Sequence, residues 1–198
     1  GTPCNAAYGF ANTLIRYATE EDPTHAGVCF DAAMTSFRNE LEPEYKAQRG
    51  ETPEELEPQF DLCHEIAIAL GFVVYEVDDY EADDLLGTVA AEVVKRKGRA
   101  RVITTDKDLC QLVREDGRVH VYDLAKEKTF DADAVREKFG VSPHQIPDYL
   151  GLVGDTVDNL PGVPGIGAKS AAAVLQAFPT IEEVPDDVDE WEGVTVRG

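Results

Sequence analysis

The stretch GLVGDTVDNLPGVPGIGAKSAAAVL, residues Gly151–Leu175, joins a pair of carboxylates to a glycine-rich turn and a helix of small residues. Asp155 and Asp158 are three apart, a spacing at which a helical turn would point both side chains the same way. The glycines that follow let the backbone approach a ligand closely, and the next helix offers unpaired N–H groups at its positive end. The turn therefore suits an anion, whereas the carboxylates would repel one unless a cation lies between them.

Three interpretations of the turn are open. The pattern G-x-x-x-x-G-K-S would be a nucleotide-binding P-loop, but Ala168 separates Gly167 from Lys169 and no strand precedes the turn. A helix–hairpin–helix that grips a nucleic-acid backbone is therefore favoured over a nucleoside triphosphate site. The third interpretation is a plain connector between two helices, which rarely needs Gly162, Gly165 and Gly167 together.

Composition limits the class of protein. The chain has 198 residues, of which 43% are hydrophobic, enough for one sizeable core or a core with a small added module. It shows no signal-peptide pattern and no apolar run that could span a bilayer, so a cytoplasmic location is expected, with no membrane partner. The four cysteines form no C-x-x-C pair, which favours buried reduced thiols over a zinc site.

The net charge is −21, which by itself argues against a nucleic-acid partner. Two features weaken that objection. Some of the acids are candidate metal ligands, whose charge a bound ion offsets. Others lie in a tail-like run, IEEVPDDVDEWEG, far in sequence from the motifs.

Hydrophobic periodicity predicts alternating helices and strands upstream of the quoted stretch. Helical spacing covers 6–19, 60–72 and 81–98, and strand-like segments cover 26–30, 72–77, 100–105 and 119–123. The polar segment 36–60 is expected to be a mobile loop or a loosely packed helix pair, and the pattern is helical from about 131. The predicted fold class is α/β, with a central, mostly parallel sheet flanked by helices.

Acidic residues follow the predicted strands. Because the carboxyl ends of parallel strands form one edge of a sheet, these acids are expected to meet there. Each has an ordinary explanation as a helix cap, a turn residue or a surface acid. Together they would repel one another unless cations bind, and oxygen-only ligation favours Mg²⁺ or Mn²⁺. Two such ions ~4 Å apart are the usual arrangement for in-line attack on a phosphodiester. The acids are Asp31, Glu81, Asp83, Asp84, Asp106, Asp108, Asp155 and Asp158.

Three segments carry a family resemblance: YEADDLLGTVA (80–90), TTDKDLCQLV (104–113) and the quoted stretch. They resemble the motifs of the bacterial 5′-nuclease family, in family order and spacing. That family includes the 5′–3′ exonuclease domain of DNA polymerase I and stand-alone flap endonuclease-like exonucleases. CFDAAMTSFRNELEPEYKAQR (29–49) resembles the segment that leads into the family's helical arch. The resemblance covers nearly the whole chain. It implies a PIN-like catalytic domain over 1–130, with the arch at about 36–60, and a DNA-binding helix–hairpin–helix region over 131–198.

The resemblance also implies roles for individual residues. Glu81, Asp83, Asp106 and Asp108 match the family's main metal ligands. Asp84, Asp155 and Asp158 match acids that complete the second metal site, and Asp31 matches an acid nearby. Arg38, Lys46 and Arg49 match basic positions that steer the 5′ strand. Within 161–170, the expected DNA contacts are Gly162, Val163, Gly165, Ile166, Gly167, Lys169 and Ser170, with a K⁺ ion often held at this hairpin in the family.

One departure from the family concerns the start of the chain. The family opens with a strand ending in Asp-Gly, whose Asp is a further metal ligand, whereas this sequence begins at GTPCNAAYGF, just past that position. The central strand and one carboxylate are therefore expected to be missing. A trimmed fragment is expected rather than a strand-less variant, because a sheet lacking an inner strand would leave apolar edges bare.

The predicted function is a structure-specific 5′–3′ exonuclease or flap endonuclease that hydrolyses DNA phosphodiesters with two metal ions. Lys46 or Arg49 is expected to neutralise charge on the scissile phosphate. The expected substrates are DNA 5′ ends or flaps, with RNA primers as a further class, and a monomer is expected. Two alternatives remain: a DNA-binding module without catalysis, and a PIN-like ribonuclease, which would not normally carry the hairpin.

Overall fold

The structure is a computed structural model that describes residues 3–191 and residue 194. The chain forms two compact units. The first contains the described residues up to Pro43 together with Gln48–Leu85, and the second contains Glu44–Ala47 together with the described residues from Leu86 onward. The division falls within one helix, Ala82–Lys95.

The first unit contains two long helices, a short helix and a two-stranded parallel sheet. Its elements are α1 (Asn5–Glu20), β1 (Gly27–Cys29), α2 (Phe37–Leu41), α3 (Glu57–Ala69), β2 (Val73–Tyr75) and the first turn of α4 (Ala82–Lys95). In the sheet, Val28 lies opposite Val74. The buried Gln59 of α3 accepts hydrogen bonds from the amides of Ala6 and Ala7, at 2.8 and 3.3 Å. It thereby satisfies two of the amides that the start of α1 leaves unpaired.

The second unit contains the larger core. Its sheet consists of β3 (Ala100–Ile103), β4 (Val119–Asp123) and β5 (Lys128–Phe130), with β3 parallel and β5 antiparallel to β4. On β4, Val119, Val121 and Asp123 are buried, and the residues between them are half-buried. The remaining elements are α5 (Ala132–Phe139), α6 (Ile146–Val153), β6 (Gly154–Asp155), β7 (Leu160–Pro161) and α7 (Ala168–Ala177), with short 3₁₀ helices at Asp108–Leu112, Pro143–Gln145, Ile181–Glu183 and Val188–Glu190.

The predicted helices and strands lie where the periodicity placed them, with three additions and one correction. The strands β5, β6 and β7 were not predicted. Asp155 and Asp158 do not share a helical turn, because α6 ends at Val153 and Asp155 belongs to β6. The physical reason is Gly154, which adopts a φ of 79° at the end of α6 and turns the chain out of the helix.

The structure also bears on the expected class of protein. No helix in the described chain has the length and the apolar character that crossing a membrane requires.

The four cysteines are all free thiols: Cys63 and Cys110 are buried, Cys29 is half-buried and Cys4 is exposed. The expectation of buried thiols therefore fails for Cys4.

Candidate active site

Four of the predicted metal ligands line one cavity of the second unit. Asp106 and Asp108 follow the carboxyl end of β3, and Asp155 and Asp158 come from the turn that opens at β6. The cavity has a volume of about 360 Å³, and its lining also includes three lysines, Lys107, Lys126 and Lys138. The cavity thus gathers acids from two separate segments of the chain. The sequence predicted that acids from two further segments, Asp31 and the group Glu81, Asp83 and Asp84, would join them, and that stays a prediction.

Asp108 is the acid of this cavity whose surroundings most disfavour a negative charge. Its Oδ1 atom is buried and has no hydrogen-bond partner among the described residues. Burial, with the nearby charges of Asp106 and Asp155, raises the pKa of the Asp108 carboxyl from 3.8 to about 6. A buried carboxylate oxygen without a donor is a position that a cation would stabilise.

Lys107 balances part of this negative charge. Its ammonium lies 2.9 Å from Oδ2 of Asp155, whose side chain is 5% exposed. Oδ1 of Asp155 accepts hydrogen bonds from the amides of Val157 and Asp158, at 2.7 and 3.3 Å. Burial raises the pKa of Asp155, but Lys107 and these amides outweigh it, so the pKa lies below its ordinary value. The hydrogen bond to Asp155 in turn raises the pKa of Lys107. Lys107 was missed as a site residue, although it stands inside the quoted motif TTDKD.

Lys46 is held beside the same turn, within the second unit. Its amide donates to the backbone carbonyl of Asp158 at 2.9 Å, and the Tyr45 hydroxyl donates to Oδ2 of Asp158 at 3.3 Å. Lys46 has a φ of 57°, a left-handed conformation that non-glycine residues rarely adopt. The geometry places the predicted catalytic lysine next to a predicted metal ligand, whereas Arg49 belongs to the first unit and its role stays a prediction.

The acids of the first unit surround the start of α4. Arg38 makes a two-pronged contact with Asp84, with nitrogen–oxygen distances of 2.7 and 2.8 Å. Asp84 also accepts from the amide of Glu81 at 3.0 Å, and Asp31 accepts from the amide of Ala82 at 2.6 Å. Asp31 and Asp84 therefore satisfy amides that the helix start would leave unpaired.

Ser36 is a second residue that the sequence did not single out. It is buried, and its hydroxyl donates to Oε1 of Glu81 at 3.1 Å. Ser36 carried no sequence signal beyond its place in the segment that resembles the arch.

In the same unit, burial together with the charge of Asp83 raises the pKa of the Cys29 thiol to about 11.

Across residues 3–191 and 194, no group of three or more His, Cys, Asp or Glu side chains is arranged so that it could hold a metal ion. Cationic side chains already engage some of the predicted ligands: Lys107 contacts Asp155, and Arg38 contacts both Asp84 and, at 4.0 Å, Glu81. The donor set nevertheless consists of carboxylate oxygens, which suit hard divalent cations. The unpartnered Oδ1 of Asp108 is the observation that fits such an ion.

The hairpin that joins α6 to α7 depends on two glycines. A Cβ atom on Gly162 would lie 2.3 Å from the carbonyl of Val153, and one on Gly154 would lie 2.4 Å from the amide nitrogen of Gly162. Gly165 adopts a φ of 83°, and Gly167 precedes the first residue of α7. Lys169 and Ser170 follow in the first turn of α7, and Val163 is 44% exposed. The residues predicted to contact DNA therefore lie in the turn before α7 and in that helix's first turn.

The carboxylate-lined edge of an α/β sheet and the glycine-dependent hairpin define an α/β protein of the PIN-like 5′-nuclease fold. Two family models match residues 1–197: "5′-3′ exonuclease, N-terminal resolvase-like domain" over residues 1–140, and "5′-3′ exonuclease, C-terminal SAM fold" over residues 141–197. The chain belongs to the 5′–3′ exonuclease family. The domain boundary predicted at residue 130 stays a prediction.

Relatives and solved structures agree with this assignment. The chain is 44% identical over 202 residues to DNA polymerase I of Bacillus caldotenax and 40% identical over 199 residues to that of Bacillus subtilis (strain 168). It is fully covered in both cases but spans only 23% of each relative. The T5 D15 protein, co-crystallised with metal ions, has the same fold: the TM-score is 0.77 at 24% identity, over 91% of this chain and 74% of that one.

Proposed function

We propose that this chain is the nuclease part of a structure-specific 5′–3′ exonuclease or flap endonuclease that hydrolyses DNA phosphodiesters with two divalent cations. The observation that supports this most directly is the cavity shared by Asp106, Asp108, Asp155 and Asp158, with the unpartnered Oδ1 of Asp108. Family membership supports the same activity. Bound divalent cations would supply Lewis-acid chemistry to the scissile phosphate.

The chain's own residues would bind the ions, neutralise the phosphate and hold the DNA. Asp106, Asp108, Asp155 and Asp158 would hold the ions in the second unit, with Glu81, Asp83, Asp84 and Asp31 as the proposed ligands of the first. Lys46, fixed beside Asp158, would neutralise charge on the phosphate, a role that Arg49 is proposed to share. Arg38 would guide the 5′ strand. The hairpin residues Gly162–Ser170 would hold the duplex through backbone amides and Lys169.

The finer identities of ions, substrates and location are part of the proposal. The ions are proposed to be Mg²⁺ or Mn²⁺, because all the ligands are oxygens, with K⁺ at the hairpin. The substrates are proposed to be DNA with 5′ ends or flaps, including RNA primers, cut by a monomer in the cytoplasm. In support, T5 5′-exonuclease was solved with divalent metal ions (zinc), and T5 D15 flap endonuclease with DNA and metal ions.

A flap-cleavage assay tests the proposal. A 5′-labelled flap substrate is incubated with the protein and Mg²⁺, with and without EDTA. We expect cleavage that EDTA abolishes. Cleavage that survives chelation would contradict metal-ion catalysis.

The second candidate is a DNA-binding module without catalysis. It is favoured by the finding that the described residues contain no ready metal-holding group, since Lys107 already contacts Asp155. Under this alternative the protein retains the flap substrate but leaves it uncut at every Mg²⁺ and Mn²⁺ concentration.

A further inference from the structure

Lys138 lines the active-site cavity and forms no ion pair with a carboxylate of the residues that the structure describes. Five acids and three lysines line the cavity. Lys107 contacts Asp155 at 2.9 Å, and Lys126 contacts the buried Asp123 at 2.6 Å. Among the described residues, no carboxylate lies within ion-pair distance of the Lys138 ammonium.

Two aromatic rings lie close to the Lys138 ammonium. The nitrogen lies 4.7 Å from the centroid of the Phe130 ring and 4.6 Å from that of Phe139. Phe130 is buried, so the platform under the ammonium is rigid. Lys138 also lies in the last turn of α5, where the helix dipole favours a positive charge. Lys138 is itself exposed, and these contacts favour, without fixing, a position of its ammonium over the Phe130 ring.

Lys138 lines the same cavity as Asp106 and Asp108. The buried Cys110 also contributes to this lining. A volume of about 360 Å³ is at the small end of ligand sites, large enough for a group of nucleotide size.

We propose that Lys138 binds a backbone phosphate of the nucleic-acid strand, next to the phosphate that lies over Asp106 and Asp108. The proposal rests on the proposed function, since it assumes that a strand enters this cavity. An exposed ammonium that lies over aromatic rings, has no carboxylate partner among the described residues and lines a proposed phosphodiester site is suited to a second phosphate. Lys138 is thus assigned to strand positioning.

The test measures binding to a fluorescent 5′-flap DNA in EDTA, by anisotropy over a range of salt concentrations. We expect Lys138→Gln to weaken binding about tenfold and to reduce the slope of log K against log salt by about 0.7–0.9, the loss of one phosphate contact. Lys138→Arg should restore most of both. Lys128→Gln is the matched control, because the Lys128 ammonium lies 5.1 Å from the same Phe130 ring but does not line the cavity. Melting temperatures verify that the variants fold.

A second arm locates the phosphate. Single neutral methylphosphonate linkages are placed in turn along the flap strand. We expect one position to weaken the wild-type protein and to leave Lys138→Gln unaffected. The proposal would be overturned if Lys138→Gln and Lys128→Gln lost equal binding affinity for the flap DNA. It would also be overturned if no methylphosphonate position affected the wild type and the Lys138→Gln variant differently. Either result would leave the nuclease function intact. A wild-type protein that neither binds nor cuts the flap would overturn both.

Discussion

Replacing Asp108 by Asn should make the metal-free protein more stable at neutral pH. The folded-state pKa of Asp108 is about 6, against an ordinary value of 3.8. Because the folded state binds this proton more tightly than the unfolded state, protonation favours folding. That contribution is fully present below pH 3.8 and is lost as the pH rises through 6. Asn mimics the neutral form at every pH.

The magnitude follows from the difference between the two pKa values. A difference of about 2, at roughly 1.4 kcal/mol for each pH unit, gives about 3 kcal/mol as the upper limit at pH 7.5. For a chain of this length, this corresponds to a rise in melting temperature of about 6–12 °C. At pH 4 the two proteins should differ little, because Asp108 is then protonated in the folded state.

The assay is urea unfolding in EDTA between pH 4 and 8, followed by circular dichroism and by the fluorescence of Trp191, the single tryptophan. Glu137→Gln is the control, since it removes one negative charge from an exposed position on α5. Added Mg²⁺ should then stabilise the wild type more than Asp108→Asn, because binding to the folded state adds stability. A variant no more stable than wild type at pH 7.5, or a gain that persists unchanged at pH 4, would refute the electrostatic reasoning.

Further predictions concern the site and the hairpin. Asp106→Ala in the full-length protein should abolish Mg²⁺-dependent release from a 5′-labelled flap, and full activity on a sequencing gel would remove this residue from the metal site. Lys107→Met leaves the buried Asp155 without its cation, so urea unfolding in EDTA should show a loss of about 1–3 kcal/mol at pH 7; an unchanged midpoint would contradict the ion pair. Gly162→Ala forces a Cβ atom to 2.3 Å from a backbone carbonyl and should cost more than about 2 kcal/mol. Gly151→Ala, in open space on α6, should be neutral or stabilising by up to about 1 kcal/mol, and similar losses in both variants would exclude the close packing as the cause.

The parts of the site that could be predicted are those with local causes. Strand and helix periodicity located β3 and α4, so Asp106 and Asp108 were correctly placed after a strand, and Asp83 and Asp84 in the first turn of a helix.

Of the three glycines that the motif singled out, Gly162 is required by close packing and Gly165 by its positive φ, whereas a Cβ atom on Gly167 would meet open space. Gly154, which is also closely packed, was missed. The helical turn expected for Asp155 and Asp158 was wrong, because the conformation of Gly154 ends α6 before either residue.

Contacts between distant segments could not be predicted. Lys107 and Asp155 are 48 positions apart in the numbering, and nothing in either segment specifies that the ammonium contacts this carboxylate. The raised pKa of Asp108 depends on burial and on charges from another segment, which no local pattern reports. The platform of Phe130 under Lys138 likewise requires β5 and α5 to be packed together.

The sequence by itself determined the main helices, the strands β1–β4 and the family of the chain, because these depend on the periodicity and identity of neighbouring residues. Only the tertiary structure decided which charges are buried, which are paired and which face the cavity. The physical reason is that desolvation and Coulomb interactions depend on distances through space, and folding sets those distances between residues far apart in the chain.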